Sequence, residues 1–165
     1  MTLATHAAAG AALSLLVPAQ PAAAFLLGFA SHFALDALPH WDYPLRSAVE
    51  DQNNPLATDL RWGRDFFWDL LKIASDGLLG LVLAGLVIWW SPGGVALGAL
   101  AGAAGAMTPD FLQFVYFKLR WRWLGWLQLF HLWIHTKHKL DPRGLIGPSL
   151  QVGLVVAIML FVYYS

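Results

Sequence analysis

Apolar residues along this chain do not alternate with polar ones; they come in long runs. Five stretches, at about 2–17, 21–39, 66–90, 94–117 and 144–164, carry few or no charges. A helix that crosses a bilayer needs roughly 20 such residues, with some latitude for tilt and snorkelling. Each stretch therefore reads as a span, the first a short one. Pro18 and Pro21 bracket a tight turn between the first two, and Ser91-Pro92-Gly93-Gly94 does the same between the third and fourth. The other connections, about 40–65 and 118–143, are long and polar. Within the second, RWRWLGWLQLFHLWIHTKHK interleaves Arg and Lys with four tryptophans. Trp settles at headgroup level and basic side chains favour anionic lipid, which predicts an interfacial amphipathic helix over about 120–138. The first connection, RSAVEDQNNPLATDLRWGR, has the composition of a loop or lid. The expected fold is all-α and integral to the membrane: a five-transmembrane-helix bundle in one domain, 1–165, with the interfacial helix between helices 4 and 5.

Composition agrees with the runs. Hydrophobic residues make up 58% and charged residues only 12%, about half the share usual in a soluble domain. The formal net charge is zero, so no global field draws nucleic acid, and no nucleic-acid partner is expected. There is no cysteine, so a metal site would have to be built from His and carboxylates. The N-terminus imitates a signal peptide, yet the first Lys or Arg is Arg46, and the segment reads as a retained helix. Arg46, Arg61, Arg64, Lys118, Arg120, Arg122, Lys137, Lys139 and Arg143 all fall in the two long connections. Positive residues face the cytoplasm. That predicts a multi-pass protein of the inner (cytoplasmic) membrane, with its N-terminus inside and its C-terminus outside.

This topology places the ionisable residues at one depth. His6 lies one turn into span 1, and His32 and Asp36 lie roughly 5–10 Å below the cytoplasmic surface at 1.5 Å per residue. Asp76 is some 15 Å deep on the same scale, and Asp110 stands about eight residues before span 4 exits. His131 and His135 return to that side on the interfacial helix. Such groups cost on the order of 3 kcal/mol each in the bilayer, so their convergence in one half calls for a function. The pairs His32/Asp36 and His131/His135 are at i,i+4, with His138 continuing the second face; side chains one turn apart can chelate one ion. Pro109 bends its helix before Asp110 and frees backbone carbonyls. The nitrogen-and-oxygen set suits Zn²⁺, with Mn²⁺ or Fe²⁺ as alternatives. His6, His32, Asp36, Asp110, His131 and His135 are the metal-ligand candidates, for one ion or two. Asp76 and Asp42 are the carboxylates available to orient a histidine or act as general base. Asp76 also has Lys72 one turn away, Asp69 and Lys72 read as an i,i+3 pair, and His40 with Asp42, past Pro39, reads as a solvated turn.

The quoted residues carry a resemblance. TH near the start, GFASHFALDALPHWD, MTPD and FHLWIH are similar to segments of the small integral-membrane metal-dependent hydrolases of the LexA-induced type, themselves distantly similar to zinc-dependent phospholipase C. Ser31, His32 and Asp36 match the family's S-H-x-x-x-D, Pro109 and Asp110 its P-D, and His6 its early histidine. The longer P-D-x-D-H-P and H-R-G-x-T-H-S signatures are absent, and H-x-x-x-D precedes P-D rather than following it. The resemblance implies a divergent relative: a membrane-embedded metal-dependent hydrolase cleaving a phosphoester in a lipid or membrane-associated substrate. Two other classes use the same residues: a proton or divalent-cation transporter, and a structural protein whose polar groups fasten helices.

Overall fold

The computed structural model describes residues 1–164 other than 52, 92, 138–139 and 141–143. The helices are α1 (Leu3–Leu13), α2 (Pro21–Asp36), α3 (Arg64–Trp90), α4 (Ala96–Leu119), α5 (Arg122–Ile134) and α6 (Ile146–Tyr164); a 3₁₀ turn, Ser14–Leu16, extends α1. Local signals set their ends. The Thr2 hydroxyl caps α1 by accepting the Thr5 N–H, and Pro21 opens α2 where its missing N–H costs nothing. Arg120, at φ 52°, takes the left-handed conformation that ends α4 and turns the chain into α5. Each expected apolar run is helical. The tryptophan-rich run forms α5, which stops at Ile134, short of the expected 138, and His138 lies outside the described residues.

α1 is the hub. Every residue from Ala4 to Ala11 is buried, packed among α2, α3, α4 and α6. Glycine permits the closest approach: a Cβ added to Gly10 or to Gly28 would run into the carbonyl of Gly102. Helices this close gain dispersion contacts along their backbones. Ala7, Ala8, Ala11, Ala84, Val87, Ala99, Ala103, Met159 and Val162 complete the apolar core.

α3, with 27 residues, and α6, with 19, are long and apolar enough to cross a membrane. α1 and α2, at 11 and 16 residues, are shorter than that requirement, and α4, though 24 residues long, is rich in Ala and Gly and carries Asp110 and Lys118. Length and apolarity alone thus support two of the five expected spans. The exterior is unusual for a protein in water: Trp126 is 79% exposed and Trp133 76%, with Leu78 and Val82 of α3 and Val152 and Phe161 of α6 also turned outward. The polar side chains His131 and Gln128 of α5 point inward and are buried.

The described residues of the 40–63 connection include a short two-stranded ribbon. Ala48–Val49 (β1) pairs antiparallel with Asp59–Leu60 (β2), in the register Ala48↔Leu60. Lys118 reaches it from α4, donating to Asp59 at 3.0 Å and to the Leu60 carbonyl. The Arg120 guanidinium donates to the carbonyls of Leu56 at 2.6 Å and Thr58 at 2.9 Å. On the other side, the buried Asp69 carboxylate accepts both the N–H and the hydroxyl of Ser47 at 2.8 Å. The expected Asp69–Lys72 pair forms at 3.3 Å.

Candidate metal centre

Asp36 ends α2 with a carboxylate only 1% exposed, and the cluster is built on its two oxygens. Oδ1 faces His6 Nε2 at 3.1 Å, His40 Nε2 at 3.8 Å and the Met1 ammonium at 2.9 Å. Oδ2 faces His131 Nε2 at 3.1 Å, His32 Nε2 at 3.2 Å and His135 Nε2 at 3.8 Å. His32 Nε2 is also 3.3 Å from His131 Nε2 and 3.6 Å from Asp110 Oδ1. Two groups result whose donor atoms all lie within 4.8 Å of one another: His32, Asp36, Asp110 and His131, and Asp36, His40 and His135.

Elements far apart in sequence supply these atoms. His32 and Asp36 share the last turns of α2, as their spacing predicts. Asp110 arrives from α4 one residue after Pro109. The carbonyl of Ala106, in the turn before that proline, accepts a hydrogen bond from His32 Nδ1 at 2.8 Å. His131 projects from the inner face of α5. His135 is past the helix end, where the chain runs alongside the residues after α2: Thr136 N–H donates to the Asp36 carbonyl at 2.8 Å and Leu140 N–H to the His40 carbonyl at 3.0 Å. This backbone pairing brings His135 to His40, ring centroids 4.7 Å apart.

The ring nitrogens on the far side fix the chemistry. A carbonyl can only accept, so the protons of His32, His40 and His135 sit on Nδ1, toward Ala106, Leu38 and Thr136. In neutral imidazoles this leaves the Nε2 lone pairs aimed at carboxylate oxygens. Lone pair against anion at such distances is repulsive unless a metal ion sits between them or Nε2 carries a second proton and donates to the carboxylate, and a histidine held by a carbonyl at Nδ1 is the usual form of a metal ligand. Both nitrogens of His6, and Nε2 of His40, are buried without a hydrogen-bond partner. Four donors at about 2.0–2.2 Å around a tetrahedral ion stand roughly 3.3–3.6 Å apart, and the separations around His32 span 3.2–3.6 Å. Buried His and Asp residues thus form a group able to hold a metal ion.

The sequence-derived candidates divide. His32, Asp36, Asp110 and His131 meet in one group and His135 in the other, while His6 touches Asp36 and stacks on the His32 ring at 4.0 Å but belongs to neither group. Asp42 borders the second, 3.2 Å from His40 and 3.8 Å from His135. Burial would raise its carboxyl, but the nearby His40 and the Met1 ammonium outweigh that and hold it well below the usual carboxylate range. Burial lowers the His135 imidazole, favouring the neutral, ligating form.

Asp76 stands apart. It accepts the N–H groups of Leu3 at 2.7 Å and Ala4 at 3.2 Å and anchors the start of α1, while Lys72 turns to Asp69 and to the Pro44 carbonyl instead. His40, which the sequence places in a solvated turn, is 1% exposed and lies inside the cluster. Its signal was the continuation of the four-residue spacing 32, 36, 40 across Pro39. Gln151 of α6 was missed as well. It donates to the Trp41 carbonyl and accepts the Thr2 N–H at 3.3 Å, joining α6 to the rim of the site.

Comparison of the chain with protein-family models, with curated proteins and with solved structures finds no match. Asp110, Asp42 and His135 are 29%, 26% and 21% exposed, so the otherwise buried cluster reaches solvent at these three side chains.

Proposed function

We propose that the chain is a membrane-embedded, metal-dependent hydrolase acting on a phosphoester in a lipid or membrane-associated substrate. The observation that carries this reading is the convergence of His32, Asp36, Asp110 and His131 into a donor group that is buried except at the partly exposed Asp110. The likeness of GFASHFALDALPHWD and MTPD to membrane metal-dependent hydrolases points the same way. When bound, a divalent ion, Zn²⁺ by its donor set with Mn²⁺ or Fe²⁺ as alternatives, would polarise a phosphoryl oxygen and lower the pKa of a water. The chain's own residues do the rest. Asp36 holds several imidazoles in register, the carbonyls of Ala106 and Leu38 fix two of their tautomers, and ionised Asp42 steadies His40 and His135. The rim at Asp110, Asp42 and His135 admits the phosphoester.

Embedding in the bilayer is part of the proposal. Gln128 and His131 of α5 point inward while its tryptophans and Arg122 are exposed, and α3 and α6 present leucines, valines and aromatics on their outer faces. In the full arrangement α1, α2 and α4 also cross, α5 lies along the cytoplasmic leaflet, and the site opens to the cytoplasm. The residues between Asp76 and Asp110, between His6 and His32, and from 145 to 164 include no Asp, Glu, Lys, Arg or His. No chain of ionisable groups leads outward from the cluster, which favours a one-sided catalytic site over a transport path.

Removal of metal with a chelator should abolish phosphodiesterase and phosphomonoesterase turnover of purified protein in detergent, and readdition should restore it. Asp36→Ala and Asp110→Asn should each lower kcat by at least about 100-fold, the scale of a lost ligand or its close support. Full activity in both variants would refute the assignment.

A further inference from the structure

The two donor groups share a single residue, Asp36. Asp36 stands between the two sets of imidazoles, Oδ1 toward His40 and Oδ2 toward His32 and His131 with His135 also on the Oδ2 side, and a carboxylate so placed can bridge two ions. We propose that the cluster holds two divalent ions bridged by Asp36, the second one between Asp36, His40, His135 and Asp42. This rests on the metal reading above and extends it to a second site and to the kind of bond cleaved.

The second position has its own support. His40 is 1% exposed, its Nδ1–H is committed to the Leu38 carbonyl at 2.8 Å, and its Nε2 is buried with no hydrogen-bond partner. A buried lone pair left unsatisfied is unfavourable, and an ion placed there gives it a partner. Asp42 closes the corner at 3.2 Å from His40 and 3.8 Å from His135. The Met1 ammonium lies 2.9 Å from both Asp36 Oδ1 and Asp42 Oδ1, marking where the two carboxylates hold a positive charge. The corner is also preorganised: the backbone bonds Thr136–Asp36 and Leu140–His40 fix both histidine-bearing segments against each other.

Charge and chemistry select the substrate class. Asp36, Asp42 and Asp110 bring three negative charges to the cluster. With the Met1 ammonium against two of them, one divalent ion makes the cluster neutral and a second makes it positive, the sign that attracts a phosphate. Paired ions stabilise both the attacking and the leaving oxygen of an in-line displacement at phosphorus. The bond cleaved is then the P–O bond of a phosphomono- or phosphodiester: water adds its oxygen to phosphorus, the alkoxide departs, and the water's proton ends on the departing oxygen.

The test is metal content together with the spectrum of Mn²⁺-loaded protein in detergent, neither of which requires turnover. Wild-type protein should bind about two equivalents of Mn²⁺ per chain, with the exchange-coupled signal of a bridged pair. His40→Ala should bind about one equivalent with an uncoupled six-line signal, and His135→Ala, at a partly exposed position where no buried void is left, should do the same. Asp36→Ala should lose the coupling and most of the metal. Circular dichroism establishes that each variant is folded. A wild-type stoichiometry of one, or full retention of two coupled ions in both histidine variants, would overturn the second site. One ion with turnover leaves the hydrolase standing and this inference refuted. Two coupled ions without turnover on any phosphoester does the reverse.

Discussion

At the residue scale, Asp36 organises the molecule's chemistry and Asp76 its support. His32 and Asp36 were legible because i,i+4 spacing on a helix is a local property. His40 was not legible: a histidine just past Pro39 looks like a turn residue, and only the tertiary fold, with Thr136 bonded to Asp36 and Leu140 to His40, buries it. The same holds for Asp76. Its local neighbour Lys72 suggests an intrahelical ion pair, whereas in the fold two N–H groups of α1 take the carboxylate. An anion at a helix N-terminus contributes up to about 2 kcal/mol when partly buried. Asp76→Asn should therefore destabilise the folded protein by about 1–2 kcal/mol and weaken Mn²⁺ binding several-fold, because α1 sets the position of His6. Lys72→Ala should change Mn²⁺ affinity little. Thermal unfolding and metal titration of the two variants in detergent distinguish these roles, and equal effects would restore the Lys72–Asp76 pairing.

At the element scale, α1 is short, apolar and enclosed, and its contacts with α2 and α4 depend on glycine. A side chain at Gly102 would meet the backbone of Gly10, and one at Gly28 would meet that of Gly102. Gly102→Leu should separate three helices at once and destabilise the bundle by more than the usual 1–3 kcal/mol of overpacking. Gly85→Leu, on the open face of α3 where nothing lies near an added Cβ, should have little effect on unfolding in detergent. A wild-type melting temperature for Gly102→Leu would mean that the close approach does not exist. The helices themselves were readable from runs of apolar residues and their Pro and Gly punctuation. The ends were read less well. α5 stops four residues early because His135 leaves the helix to join the second donor group, a tertiary demand that no periodicity announces.

At the scale of the whole molecule, charge asymmetry predicts both long connections on one side, and all the cluster-forming side chains gather at that end of the bundle. The chain contains no cysteine, so single introduced cysteines report topology without background. In the five-span arrangement, Arg46→Cys and Arg122→Cys should react with an impermeant maleimide only from the cytoplasmic side of oriented vesicles. Gly93→Cys and Tyr164→Cys should react only from the opposite side. Labelling of all four from one side would mean that the helices do not cross as proposed, and α1, α2 and α4 would then be packed against a surface rather than through it.

The sequence by itself determined the helical elements, the absence of thiolate chemistry, and the identity of most cluster residues, because apolar run length, i,i+4 spacing and residue chemistry are local quantities. Only the tertiary structure decided which of those residues share an ion-sized space. It turned His40 inward, gave Asp76 the first N–H groups of α1 to accept, and set two groups of imidazoles around one carboxylate. Those outcomes depend on contacts between segments as far apart as Asp36 and His131, and the geometry of such contacts is fixed by packing against the rest of the chain, which no local pattern encodes.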